Sequence, residues 1–148
     1  MGYNRLSIRI LGLLLILSML IMGCSGTSSP PTLTINGDQC SYEGPKNIPA
    51  KATFTLKLEN PKPSTWHGFG VLTLAEGKTL EDLKTATTVE DLPEWITVIG
   101  RFGSNETGTS THEFDSVYYG AYHGEPIYIL CVIDPAVIAA FGPIEVKP

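Results

Sequence analysis

Three cysteines and three histidines are the side chains of this chain whose chemistry could define a function. They are Cys24, Cys40, Cys131, His67, His112 and His123. A thiol can be acylated, join a disulfide or bind a metal, and an imidazole can bind a metal or move a proton. The histidines lack the short spacing of a zinc site, so we expect each to be a solvated or hydrogen-bonded side chain.

Cys24 follows a segment with the pattern of an export signal. Arg5 and Arg9 precede an apolar run from Ile10 to Met22, and Gly23 places a small residue directly before the cysteine. The run is shorter than the roughly 20 residues of a membrane-spanning helix, which disfavours a permanent transmembrane anchor. An ordinary cleaved secretory signal is the other alternative, but it has no use for a cysteine at the cleavage point.

The run Ile21-Met22-Gly23-Cys24 resembles the lipobox of bacterial lipoproteins. That resemblance implies that residues 1–23 are a signal peptide and that the Cys24 sulfur receives a diacylglyceryl group with palmitate-type chains. Two acyl chains hold a protein firmly on a membrane. The small and turn-forming residues up to Pro31 predict a flexible tether over residues 24–31, which leaves residues 32–148 as one domain. We therefore expect a lipid-anchored, extracytoplasmic protein of the cell membrane.

The charge balance excludes one class of partner. The chain has 10 basic and 15 acidic residues, and Arg5 and Arg9 lie in the predicted signal peptide. An acidic domain offers no electrostatic surface for nucleic acid and is repelled by anionic lipid headgroups. We expect membrane contact through the lipid alone, and an unidentified protein or small molecule as the ligand.

Cys40 and Cys131 are the thiols that remain once Cys24 is acylated. In an oxidising compartment such a leftover pair favours a disulfide. Two free thiols, or one thiol that binds a metal, are the alternatives.

Alternating apolar residues predict an all-β domain. Ala52 to Leu58 is the clearest strand, with Phe54, Leu56 and Leu58 on one face. Pro126 to Ile133 predicts a strand buried on both faces. About seven short strands with regularly spaced turns indicate an antiparallel Greek-key β-sandwich with a short helical insertion.

The insertion begins at Thr79, which can cap a helix with Glu81 and Asp82 in its first turn. The segment from Thr88 to Leu92 predicts a second single turn that ends at Pro93. We expect a loop after the strand that contains Cys131, followed by a closing strand from Gly142 to Val146.

Several short motifs carry a resemblance to a known fold. They are Cys40-Ser41-Tyr42-Glu43-Gly44-Pro45, Ile48-Pro49-Ala50, Asn60 before His67, and Tyr128-Ile129-Leu130-Cys131. Together they resemble the cupredoxin fold of blue-copper proteins, and in particular cupredoxin-like proteins of the bacterial envelope. The resemblance implies that His67 and Cys131 stand where copper ligands lie. A blue-copper site also needs a second His and usually a Met near the Cys, and Val132 to Pro143 contains neither. We therefore expect no metal and no cofactor.

Two aromatic groups form a candidate binding surface, since Tyr and Trp give a large contact area at low entropy cost. Its residues are Trp66, His67, Tyr118, Tyr119 and Tyr122. The alternative is packing at the open end of the sandwich, which is the more frequent role.

The sequence thus predicts a non-catalytic envelope domain with a binding or structural role. Neither a Gly-x-Ser-x-Gly motif nor a phosphate-binding glycine motif occurs, and we expect no enzyme activity. The alternative is a copper-binding or electron-transfer protein that uses His67 and Cys131 in a non-standard site.

Overall fold

The computed structural model of the protein describes residues 29–116 and 125–147. This part contains nine strands and one short helix. In chain order they are β1 Thr32–Asn36, β2 Gln39–Glu43, β3 Asn47–Pro49, β4 Lys51–Glu59, β5 His67–Leu74, α1 Leu80–Leu83, β6 Ile96–Ser104, β7 Gly108–Asp115, β8 Pro126–Ile133 and β9 Ala136–Lys147. Within these two ranges, no helix has the length and apolar character needed to cross a membrane.

The strands form two sheets that pack against each other. The first sheet has the order β2-β1-β4-β7 and the second has the order β3-β9-β8-β5-β6. Both sheets contribute to one buried apolar cluster, whose members include Leu33, Ile35, Phe54, Leu56, Phe69, Val71, Ile129 and Cys131. The predicted two-sheet, all-β fold is confirmed. The Greek-key topology and the cupredoxin-like assignment stay predictions.

Two strand pairs are parallel, although the sequence predicted an antiparallel sandwich. Strand β1 runs parallel to β4, with Leu33 beside Leu56, and β3 runs parallel to β9, with Ile48 beside Val146. A parallel pair needs a long crossover between its strands. For β1 and β4 the crossover consists of β2 and β3. The chain passes through β2, crosses to the second sheet as β3, and returns to the first sheet as β4 beside β1.

The predicted alternation of β4 is confirmed. Phe54, Leu56 and Leu58 are buried, whereas Lys51 and Lys57 on the other face are exposed. The predicted full burial of β8 is confirmed as well, since every residue from Ile127 to Ile133 is buried.

Both faces of β8 are covered because the second sheet lies between two layers. The first sheet covers its inner face, and residues 75–95 cover its outer face. Leu83, Leu92 and Trp95 of this covering segment pack with Leu130 and Val132 of β8 in a second apolar cluster. The outer face of the second sheet is therefore a partly closed apolar surface.

Helix α1 begins at the predicted cap. The Thr79 hydroxyl accepts a hydrogen bond from the backbone N–H of Asp82 at 3.4 Å, and the Asp82 carboxylate accepts one from the backbone N–H of Thr79 at 2.9 Å. The Thr79 hydroxyl also donates to the Asp82 carboxylate at 2.9 Å, and the backbone and hydroxyl donors of Thr79 together hold the pKa of that carboxyl below its usual value. The cap fixes the start of the helix that carries buried Leu83.

The prediction of a second helical turn from Thr88 to Leu92 was wrong. Thr88 forms a β-bridge with Ala136, and the backbone N–H of Val89 donates to the Pro135 carbonyl at 2.9 Å. The bridge ties this segment to the start of β9, and the structure has no helix between Thr88 and Leu92.

Most of the predicted loop between Ile133 and Gly142 belongs to a strand, which continues into the predicted closing strand from Gly142 to Val146. The chain turns at Asp134 and Pro135 and returns as β9, which pairs with β8 along its length. Ala139 and Ala140 favour strands only weakly, but β9 lies between β3 and β8, and its position in the sheet outweighs this local preference.

Candidate functional site

The predicted pairing of Cys40 with Cys131 is confirmed as a disulfide. Cys40 lies on β2 of the first sheet and Cys131 lies on β8 of the second, with their Cα atoms 6.4 Å apart. The Cys131 side chain is fully buried in the core between the sheets. The bond therefore joins the two layers directly, and it leaves neither sulfur as a free thiolate.

His67 has a structural environment. Its side chain is completely buried at the start of β5. The backbone N–H of Lys62 donates to its Nε2 at 3.1 Å, so the ring proton lies on Nδ1 and is donated to the Thr65 carbonyl at 2.8 Å. Both ring nitrogens thus hold the loop before β5.

This burial removes His67 from the candidate binding surface, because a partner could not reach the ring. Copper binding by His67 and Cys131 would also require these hydrogen bonds and the disulfide to break. Across residues 29–116 and 125–147, no group of three or more His, Cys, Asp or Glu side chains is placed to hold a metal ion.

Four other predicted residues lie outside the described residues. They are Cys24, Tyr118, Tyr119 and Tyr122, and His123 lies in the same undescribed segment as the tyrosines. Lipidation of Cys24 and the tyrosine part of the candidate surface stay predictions.

His112 lies against the aromatic part of the core. Its ring is 6.0 Å from that of Phe69 and 5.6 Å from that of Phe102, and its Nε2 is hydrogen-bonded to the Ser110 hydroxyl at 2.9 Å. Burial lowers the pKa of His112, because a protonated imidazole loses hydration there.

We expect His112 to make the domain less stable in acid. The unfolded chain binds the His112 proton more tightly than the folded chain, so the free energy of unfolding falls as the pH drops below about 6.5 and through the folded pKa. Well above about pH 6.5 this destabilisation is absent, because neither the folded nor the unfolded chain then binds the His112 proton. Urea unfolding at a series of pH values should show a smaller decrease in His112→Gln than in the wild type. Identical pH profiles would contradict this assignment.

The Trp66 indole packs against two glycines of the second sheet. Gly68 of β5 pairs with Gly103 of β6, and a Cβ built at either position would collide with the indole. The Arg101 guanidinium stands 5.2 Å from the centre of a Trp66 ring, a cation–π distance. The absence of side chains at the two glycines therefore leaves room for the indole beside Arg101.

A groove of about 150 Å³ lies next to Arg101 on the outer face of the second sheet. It is lined by Gly70, Val89, Leu92, Val98, Arg101, Leu130 and Val132, and we call these residues the outer groove. Val98 at its rim is 40% exposed and is the large apolar side chain that the described residues leave most open to solvent.

The sequence pointed to Trp66 but missed Arg101 and the outer groove. Arg101 is the only arginine after Arg9, and it lies in an apolar strand with Gly100 and Gly103 close by. This isolated positive charge was the one feature of the sequence that could have indicated Arg101 as a candidate site residue. The groove itself depends on the position of residues 75–95 over the sheet, which is a tertiary contact.

Comparison of the chain with protein-family models, with curated proteins and with solved structures finds no match. The lipoprotein pattern and the cupredoxin-like resemblance therefore rest on the residues quoted above.

Proposed function

We propose that this protein is a lipid-anchored, extracytoplasmic binding protein of the bacterial cell envelope, without catalytic activity. Cys24 carries the lipid, residues 24–31 form the tether, and a cupredoxin-like sandwich binds the ligand. The outer groove and the neighbouring Trp66 form the binding site.

The disulfide is the observation that carries the proposed location. Cys40 and Cys131 form a disulfide. Disulfides persist in oxidising compartments and are rare in the reducing cytosol. The short apolar run that ends at Cys24 supplies a route to such a compartment.

The binding role is supported by how the chain uses its reactive groups. The fold itself engages the Cys131 sulfur and both nitrogens of His67. Arg101, Val98 and part of the outer groove instead face solvent, where a ligand can reach them. A concave, mostly apolar site with one well-placed polar group is the usual form of a small-ligand site.

We expect Cys24→Ser to abolish lipidation. When the full chain is produced in bacteria supplied with labelled palmitate, the wild type should carry the label in the membrane fraction. Cys24→Ser should lose essentially all of it, because the hydroxyl cannot replace the thiol as the acceptor of the diacylglyceryl group that carries the labelled chains. Mass spectrometry of the wild type should show loss of residues 1–23 and gain of the lipid mass.

Gly26→Ala is the matched control, since it changes the tether without removing the thiol, and it should be labelled like the wild type. An intact Met1 on the wild-type product, or label retained by Cys24→Ser, would contradict the proposal.

A further inference from the structure

Arg101 carries a positive charge that no carboxylate neutralises within the described part of the chain. Its guanidinium has no carboxylate oxygen within 4.0 Å, although four lysines of the domain form ion pairs at that limit. The nearby covering segment contains Glu90, Asp91 and Glu94, and none of these reaches Arg101. In an acidic domain, a guanidinium left unpaired beside a groove is a ready site for an external anion.

The groove beside this charge is apolar and small. Its apolar lining comes from Val89 and Leu92 of the covering segment, from Val98 of β6, and from Gly70 and Leu130, which are paired across β5 and β8. A cavity of about 150 Å³ has room for a group the size of benzene. The site therefore suits a ligand that ends in one ring or one branched apolar group.

We propose that the outer groove binds small apolar monocarboxylates, with Arg101 holding the carboxylate and the groove holding the apolar group. This inference rests on the proposed binding function of the same site. A planar guanidinium matches a carboxylate with two parallel hydrogen bonds. Trp66 stabilises the guanidinium at the rim through the cation–π contact.

A single negative charge fits this site better than a multiply charged group. Arg101 is one cation, and the acidic side chains of the covering segment, Glu90, Asp91 and Glu94, repel additional negative charge. The same chemistry belongs to a free aromatic acid and to the carboxyl terminus of a peptide that ends in an apolar residue.

Phenylacetate and its neutral analogue phenylacetamide test the proposal. The full-length protein in nonionic detergent is labelled with ¹⁵N, and the Arg101 Nε–H and the backbone amides of Gly70 and Leu130 are followed by NMR. Phenylacetate should shift these signals and bind about tenfold more tightly than phenylacetamide, because only the acid gains the charged hydrogen bonds.

Two substitutions separate the charge from the groove. Arg101→Gln should lower the affinity for phenylacetate about tenfold, to that of the amide. Gly70→Val should weaken both ligands, because a Cβ there meets only the Gly100 carbonyl at 3.8 Å and Val98 at 4.0 Å, and the side chain would fill the groove. Lys78→Gln is the matched control. It removes a cation 5.0 Å from a Trp95 ring, outside the groove, and should leave the affinity unchanged.

The peptide Gly-Gly-Phe and its carboxyl amide identify the source of the carboxylate. A peptide that binds more tightly than phenylacetate assigns the site to chain termini, and weaker binding assigns it to free acids. In either case the acid that binds should bind about tenfold more tightly than its amide, which supports the role of Arg101. Equal affinity of phenylacetate and phenylacetamide, or no shift of the groove signals at about 10 mM ligand, would overturn the inference. The lipid anchor is measured separately by palmitate labelling, so failure of one proposal does not imply failure of the other.

Discussion

Reduction of the Cys40–Cys131 disulfide is expected to lower the free energy of unfolding by about 4 to 5 kcal/mol. The two cysteines are 91 residues apart in the chain. The intact bond therefore closes a large loop in the unfolded chain and restricts its conformations, which is the main source of the stabilisation in the chain-entropy model. Because the bond also joins the two sheets, its loss should loosen their packing.

Urea unfolding of the full-length protein with and without a reducing agent measures this effect. The unreduced protein should show no titratable thiol from Cys40 or Cys131 in denaturant. Cys24→Ser serves as the control, since it should unfold at the same urea concentration as the wild type before and after reduction. A change smaller than about 1 kcal/mol on reduction would contradict the stabilising role.

Phe69→Ala is expected to lower the free energy of unfolding by about 3 to 5 kcal/mol. Phe69 is completely buried on the inner face of β5. Its ring centre is 5.5 Å from that of Phe54, 5.2 Å from that of Phe102 and 6.0 Å from that of His112. Truncation would leave a cavity among rings from both sheets, which cannot collapse without moving the strands.

The midpoint of urea or thermal unfolding measures this loss. Phe69→Leu should lose less stability than Phe69→Ala, because it keeps most of the buried volume. Val98→Ala should stay within about 0.5 kcal/mol of the wild type, since Val98 is 40% exposed. If Phe69→Ala were as stable as Val98→Ala, the central position of Phe69 in the core would be disproved.

Local patterns in the sequence predicted the local structure well. The alternation from Phe54 to Leu58 depends only on strand geometry, and the Thr79 cap depends on contacts within one helical turn. The disulfide between Cys40 and Cys131 was predicted from the compartment and from the count of remaining thiols rather than from distance. These inferences need no knowledge of how distant segments meet.

The features that the sequence did not predict depend on tertiary contacts. The parallel pairing of β1 with β4 requires the crossover through β3, and β9 forms because β3 and β8 satisfy its backbone. The burial of His67 could not be predicted, because its hydrogen-bond partners are the backbone groups of Lys62 and Thr65. Backbone groups are the same in nearly all residue types, so the sequence carries no signal for these bonds. Arg101 gained significance only when Trp66 and the outer groove were found beside it.

The position of β1 bears on how the domain would respond to mechanical force. β1 is paired on both sides, with β2 and β4, and the Pro31 carbonyl accepts a further hydrogen bond from the backbone N–H of Thr55 at 2.8 Å. In the proposed lipid-anchored protein, a pull from the membrane would reach the sheet first at this strand, because β1 is the first strand after the tether. When the force acts along β1, it shears the hydrogen bonds from β1 to β2 and β4. These bonds then carry the force together rather than one after another. Stretching from the amino terminus should therefore meet high resistance at the first strand.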